Sequence, residues 1–411
     1  MLGSPSVSRR WQPKPLNLLL LLAVSLGLWG VPTPQATAQS AQTTLQQTAL
    51  LPGCSAEGCT ALPTPTPPTN LPPLPTGGVI RTLEVDTNAT TTDGTTTSVN
   101  ALLANQGADG KLSLPEVLAA INNDATPNQS YLIRFALPAD QRTLQLRTTL
   151  TLAASNVTID GQIDGGPLPD VTILPPDLTT VGVRITGARN TVRAVATINL
   201  AVEGFLAREN RIEQNHLGSD HAGNPTDLRG THGLQVSNGA SGTVITGNLI
   251  NQSRGTALGS NGVLIRTGAT NTVVRDNLVG GWDVGVAIAD ARTNGNLVAG
   301  NALGGNASPG SPRPNQAGVG IFAGASQNLI GTTTRPTVAC SDGCNTIVAN
   351  SVAGVMLLGA GTSQNTVAGN QIGLLGNQRR ANLGDGILLG EGVSDNLIGG
   401  LRSNELCNGP C

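Results

Sequence analysis

The chain's three histidines, His216, His221 and His232, all lie in one stretch, NHLGSDHAGNPTDLRGTHG, from Asn215 to Gly233. Asp220 and Asp227 lie among them and Glu213 just ahead. An imidazole beside a carboxylate can pass protons or bind a metal. Asp220, His221, Asp227 and His232 are therefore the candidate catalytic residues. Their spacing reproduces no zinc-binding pattern, so no metal ligands are assigned. A second group is Asp160, Asp164 and Asp170, with Arg184 and Arg193 further on. Clustered carboxylates can hold a hard cation such as calcium, and a nearby basic residue could take a proton. No Asp-Asp pair occurs, and no EF-hand loop.

These residues sit on a repeating frame. From Asn345 to Asn370 the sequence reads NTIVANSVAGVMLLGAGTSQNTVAGN, so an Asn-Thr-apolar unit opens twice. Related units are Asn210-RIEQ-Asn215, Thr243-VITG-Asn248, Thr272-VVRD-Asn277 and Asn296-LVAG-Asn301. Apolar runs follow Gly233, Gly262, Gly285, Gly320, Gly354 and Gly386. The shortest period is about 22 residues, the length of one solenoid rung, and insertions lengthen other rungs. Short strands between tight turns predict an all-β parallel β-helix over residues 144–411. Asn at the turns suits left-handed backbone, and its amides can bond from coil to coil as a ladder. The insertions Asn215–Gly233, Asn301–Gly318 and Asn370–Gly386 begin alike, which predicts a lateral ridge. The histidine stretch is one of them. Gln371 or Ala302 stands elsewhere at its His positions, so its histidines read as incidental more readily than as a site.

Ahead of the ladder the sequence is not repetitive. Residues 1–38 read as a signal peptide: Arg9, Arg10 and Lys14, an apolar run from Leu16 to Leu28, then Ala36-Thr37-Ala38. An uncleaved membrane anchor is the alternative. Residues 39–78 form a Pro/Thr-rich linker. Residues 79–143 predict an α/β cap with strands Ile80–Val85 and Tyr131–Pro138. Its one helix spans Leu112–Asn123, where Ser113 and Glu116 have capping-box spacing. A solenoid's first rung exposes apolar surface and unpaired backbone, and the cap covers it.

Leu112-Ser113-Leu114-Pro115-Glu116-Val117, Ile133-Arg134-Phe135 and Asn156-Val157-Thr158-Ile159-Asp160-Gly161 resemble the CSLREA-type N-terminal segment of secreted bacterial right-handed parallel β-helix repeat proteins. The first motif is divergent, with Leu112, Pro115 and Val117 replacing its Cys, Arg and Ala. The resemblance supplies the handedness, in line with the right-handed bias of parallel connections. It also makes Asn156–Gly161 mainly a structural strand-turn feature.

The 411 residues include 53 Gly, with 12% charged and 2% aromatic residues. Val, Ile and Leu recur throughout, which excludes a disordered chain. Beyond residue 38, Lys111 is the one lysine, and no basic patch suits nucleic acid. The six cysteines form close pairs, Cys54/Cys59, Cys340/Cys344 and Cys407/Cys411, read as disulfides of an exported chain. The last two pairs lie two coils apart, roughly 10 Å, too far to share one zinc. The chain stops where another Asn unit is due, as expected of a segment of a longer protein. The reading is a secreted or cell-surface structural or adhesive binding module, without catalysis. Its partner would be an extracellular polysaccharide or a cell-surface component, with membrane attachment only through a retained signal. The alternative is a carbohydrate-active enzyme of lyase or hydrolase type. No cofactor is expected; calcium enters only with the lyase.

Overall fold

The computed structural model describes residues 78–399, apart from 127, 224–231, 253–258, 306–312, 334–342, 376–377 and 391. It also describes the backbone of two short strands, Cys54–Ser55 and Gly58–Cys59. The signal-peptide expectation and nearly all of the linker lie outside these residues.

Three parallel sheets form the body, and each takes one short strand from every coil. Sheet I has 11 strands, beginning with Ile80–Val85, Ser130–Phe135 and Val157–Asp160 and ending with Leu397–Ile398. Sheets II and III have nine strands each. One coil runs Arg211–Glu213 in sheet I, His216–Leu217 in sheet II, then His232–Ser237 in sheet III. The chain is thus a parallel β-helix. Coil-to-coil spacing ranges from 20 residues (Asn190 to Asn210) to 44 (Asn301 to Asn345). The three insertions all join a sheet II strand to a sheet III strand, so they do share one side of the coil.

From Thr191–Arg193 to Thr366–Ala368 each sheet I strand has three residues, and the middle one points inward. Ile159, Val192, Ile212, Ile245, Val274, Val298 and Ile330 stack in register and are at most 2% exposed. Each such side chain contributes about 1.5–3 kcal/mol by leaving water. In sheet III, Val284–Ala289, Ala317–Phe322 and Ala353–Leu358 are buried at every position. That explains why they read as continuous apolar runs instead of alternating. Their glycines point inward where coils approach closely. A Cβ at Gly285 would lie 2.6 Å from the Gly318 carbonyl oxygen, and one at Gly318 2.7 Å from that of Gly354.

The asparagines form buried ladders, as expected, but their backbone role differs. The left-handed residue is the one before most ladder asparagines: Gln214, Gly247, Asp276, Gly300 and Gly369 have φ from 57° to 70°. The sharp turn falls there, and the Asn that follows turns its amide inside. Asn215, Asn248, Asn277, Asn301 and Asn345 each donate Nδ2 to the next Oδ1 at 2.8–3.0 Å, reaching Asn370. Parallel ladders run through Asn296, Asn328 and Asn365, and through Asn315 and Asn350.

The N-terminal segment corrects one expectation. It holds two helices, α1 (Val99–Ala104) and α2 (Leu114–Asn123). α1 is N-capped by Ser98, and its buried Val99 and Leu102 carry too short a pattern to stand out. In α2 the capping box is complete, with Ser113 as N-cap. Buried Glu116 also accepts from the N–H groups of Asp93 (2.8 Å) and Gly94 (2.7 Å), so one carboxylate ties loop to helix. The segment's two strands are not separate from the solenoid: they pair in parallel with each other and then with Val157–Asp160 as its first rungs.

Cys54 faces Cys59 across an antiparallel backbone pair. Cys344 is buried and disulfide-bonded. Cys340, Cys407 and Cys411 lie outside the described residues. Among the described residues, no helix is long and apolar enough to cross a membrane.

Candidate functional site

The outer edge of the corner between sheets I and II carries the left-handed residues. Ala194, Gln214, Gly247 and Asp276 occupy it in successive coils, with φ of 53°, 57°, 67° and 57°. A ladder Asn follows Gln214, Gly247 and Asp276, and its amide bonds tie their coils together. A loop rises beside the edge after Asp160. Its turn is fixed by Asp170, whose Oδ2 accepts from the N–H of Ile163 (2.7 Å) and Asp164 (2.9 Å) and from Gln162 Nε2 (2.8 Å). The Arg142 guanidinium clamps Asp164 through bonds of 2.6 and 3.0 Å and holds its carboxyl below the usual range. The loop thereby lifts Gly166 and Pro167 as a wall. Gly161 permits the start of this turn, since a Cβ there would sit 2.2 Å from the Ala194 carbonyl oxygen.

Edge and wall enclose a groove of about 420 Å³. Gln162, Gln214, His216 and Asp276 give it polar groups, and Pro167, Leu249 and Leu278 an aliphatic floor. It crosses five successive coils, about 19 Å along the solenoid axis at strand spacing.

His216 occupies an outward row of sheet II, in register with Ala196 and Leu249. It is nevertheless 7% exposed, because its own loop turns back over it. The Asp220 carbonyl accepts from Gly223 N–H (2.9 Å) and lies 3.2 Å from His216 Nδ1. A ring nitrogen facing a carbonyl carries the proton, so neutral His216 keeps its lone pair on Nε2. Desolvation lowers its pKa, opposed by the contact to Asp220. The groove's imidazole is thus neutral at neutral pH.

Three described arginines near the groove are matched with acids. Arg193 meets Asp160 at 2.8 Å, Arg211 meets Glu213 at 3.0 Å, and Arg275 lies 3.9 Å from Asp276. Asp160, Arg193 and Glu213 share one outward row of sheet I.

The sequence candidates scatter. His221 is exposed on the turn after Asp220, and Asp220 enters His216's surroundings through its main-chain carbonyl. Asp227 lies outside the described residues. His232 opens a strand of sheet III, with Nδ1 3.3 Å from Asn261 Nδ2. Burial holds its pKa at about 4, with a smaller contribution from Arg266. His216 and His232 therefore stand on different sheets. Asp164 and Asp170 share Arg142, Asp160 pairs with Arg193, and Arg184 is on sheet III against Glu203 at 2.7 Å. Among the described residues, no three His, Cys, Asp or Glu side chains are grouped to hold a metal ion. Gln162, Gln214, Leu249, Asp276 and Leu278 were not singled out by sequence. Their signal was position: Gln214 and Asp276 immediately precede ladder asparagines, where side chains face out.

No protein-family profile matches this chain, and no curated protein sequence does. Solved structures with a similar fold include the Dettilon tailspike protein, at 14% identity and a TM-score of 0.44 over 69% of this chain. This chain covers 57% of that protein, less than two thirds of its length. The periplasmic alginate epimerase AlgG matches at 9% identity and a TM-score of 0.38, covering 67% of this chain and 78% of that one. The DFA-IIIase of Arthrobacter chlorophenolicus A6 matches at 14% identity and a TM-score of 0.31, covering 66% and 72%. At these identities and scores, nothing of those proteins' activities transfers to this chain.

Proposed function

We propose that this chain is an exported carbohydrate-binding protein, and that a polysaccharide strand lies along the groove at the corner of sheets I and II. The observation that carries this is the groove itself. It runs with the solenoid axis, so an extended polymer can lie along it from coil to coil. Amide, imidazole and carboxylate groups match sugar hydroxyls, and Leu249, Leu278 and Pro167 match the C–H faces of the rings. A plainly adhesive surface of Asn, Thr and Gly has no such feature, so the reading moves from a generic adhesive module to a carbohydrate site. Export rests on the basic start, the apolar run and the small-residue cleavage site of residues 1–38. The CSLREA-like cap rests on the motif and on the Ser113–Glu116 capping box. Affinity electrophoresis of the full chain in gels cast with a panel of polysaccharides tests the proposal. Retardation by at least one polymer, weakened about fivefold or more by His216→Ala, is the expected result. Mobility unchanged in every gel removes the reading.

One observation favours a second reading, that of a carbohydrate-active enzyme. His216 lines the groove as a neutral imidazole whose Nε2 can accept a proton. Incubation with the same panel, with and without calcium, would reveal cleavage as new chain ends. Cleavage that survives His216→Gln would assign the chemistry elsewhere.

A further inference from the structure

We infer that the groove selects uncharged polysaccharide and rejects polyuronates and other polyanions; this rests on the carbohydrate reading above. Recognition of a uronate needs a cation free to meet each carboxylate, most effectively the fork of an arginine. Among the described residues, the groove's lining offers none. Among the described lining residues, the acidic side chain is that of Asp276, and none is a lysine or arginine. The imidazole of His216 is turned by Asp220 and is desolvated, so it adds no positive charge.

The described arginines nearest the groove are already engaged. Arg193 lies in the outward row beside the corner, but its guanidinium is 2.8 Å from the nearly buried Asp160. Releasing it to a ligand would leave the Asp160 carboxylate, 8% exposed, without its cation. Arg142, behind the wall, is shared between Asp164 and Asp170. Arg211 is bound within its own strand by Glu213. Arg275 is the loosest, 3.9 Å from Asp276 and half exposed, yet the acid it would have to leave is the one lining the groove. A uronate there would meet Asp276 first and break an existing pair for any it gained. A neutral hexose chain meets neither cost. Its hydroxyls can donate to Asp276 and exchange hydrogen bonds with the amides of Gln162 and Gln214, and its ring faces cover Leu249 and Leu278.

The test uses the full chain and Asp276→Arg. Position 276 is exposed and left-handed, and Arg189 has φ 55°, so this backbone accepts arginine. Asp395→Arg makes the same charge change at an exposed left-handed residue elsewhere and serves as control. Binding is measured against a neutral glucan, a neutral galactomannan, polygalacturonate and alginate, each at low and high salt. The expected result is salt-insensitive binding of a neutral polymer and none of the uronates. Asp276→Arg should then weaken the neutral ligand about fivefold and make uronate binding detectable at low salt, while Asp395→Arg changes neither. Binding of a polyuronate by the unaltered chain, weakened by salt, overturns the inference and leaves the carbohydrate reading intact. No binding to any of the four overturns both.

Discussion

At the residue scale, the buried amide of a ladder Asn carries more than a turn preference. Asn301 donates to the carbonyls of Val274 and Ala299 and to Asn345 Oδ1, and its own oxygen accepts from the backbone and side chain of Asn277. Asn301→Ala strands partners on both neighbouring coils, at about 1–3 kcal/mol for each group left unsatisfied. We expect urea denaturation to show a loss of about 3 kcal/mol; an unchanged midpoint would mean the ladder contributes no net stability. His232 predicts a pH dependence. Its folded pKa, about 4, lies below the ordinary value of 6.5, so the unfolded chain binds the proton more readily between them. Its contribution is fully present above pH 6.5 and is lost as pH falls toward 4. His232→Gln should flatten stability across that window, as followed by thermal unfolding at several pH values; an unaltered slope assigns the acid sensitivity to other groups.

At the element scale, the glycines of sheet III set how closely coils stack. A Cβ at Gly318 would lie 2.6 Å from Ile347 Cγ2 and 2.7 Å from the Gly354 carbonyl oxygen. Gly318→Ala should cost about 1–3 kcal/mol by overpacking. Gly166→Ala, with nothing within 4 Å, should cost far less. Equal melting temperatures for the two would refute the close-approach argument. The capping box offers a parallel case. Glu116→Ala removes the bonds to Ser113, Asp93 and Gly94 together, and loss of α2 circular dichroism with about 2 kcal/mol of stability is expected. Elements of this kind were legible in sequence to different depths. α2 was readable because its cap and its apolar face agree locally, and the coil because Asn units and apolar steps recur. α1 was not, since six residues with two buried side chains give too little pattern. The groove was not, because it arises where residues from five coils meet, and no single stretch of sequence contains it. The histidine stretch looked like a site in one dimension, but the coil divides it between two sheets.

For the molecule as a whole, each coil rests mainly on its immediate neighbours, so stability is a sum along one axis. Leu389 (50% exposed), Leu397 (44%) and Ile398 (37%) of the last described coils contrast with the wholly buried Val263, Val286 and Val319 of the middle ones. Hydrogen exchange should therefore be fastest at residues 385–389 and 397–398 and slowest over 261–289 and 317–322; uniform protection would show that the stack opens as one unit. Inside that slow stretch sits Trp282, 1% exposed, its Nε1 bonded to the Ile250 carbonyl at 3.1 Å. The chain's other tryptophans, Trp11 and Trp29, fall in the stretch read as a removable signal. Processed protein would then carry a single indole, and its emission would be a lamp placed inside one known coil. A red shift would date the wetting of that coil alone, letting an ordinary fluorimeter tell fraying ends from a collapsing centre.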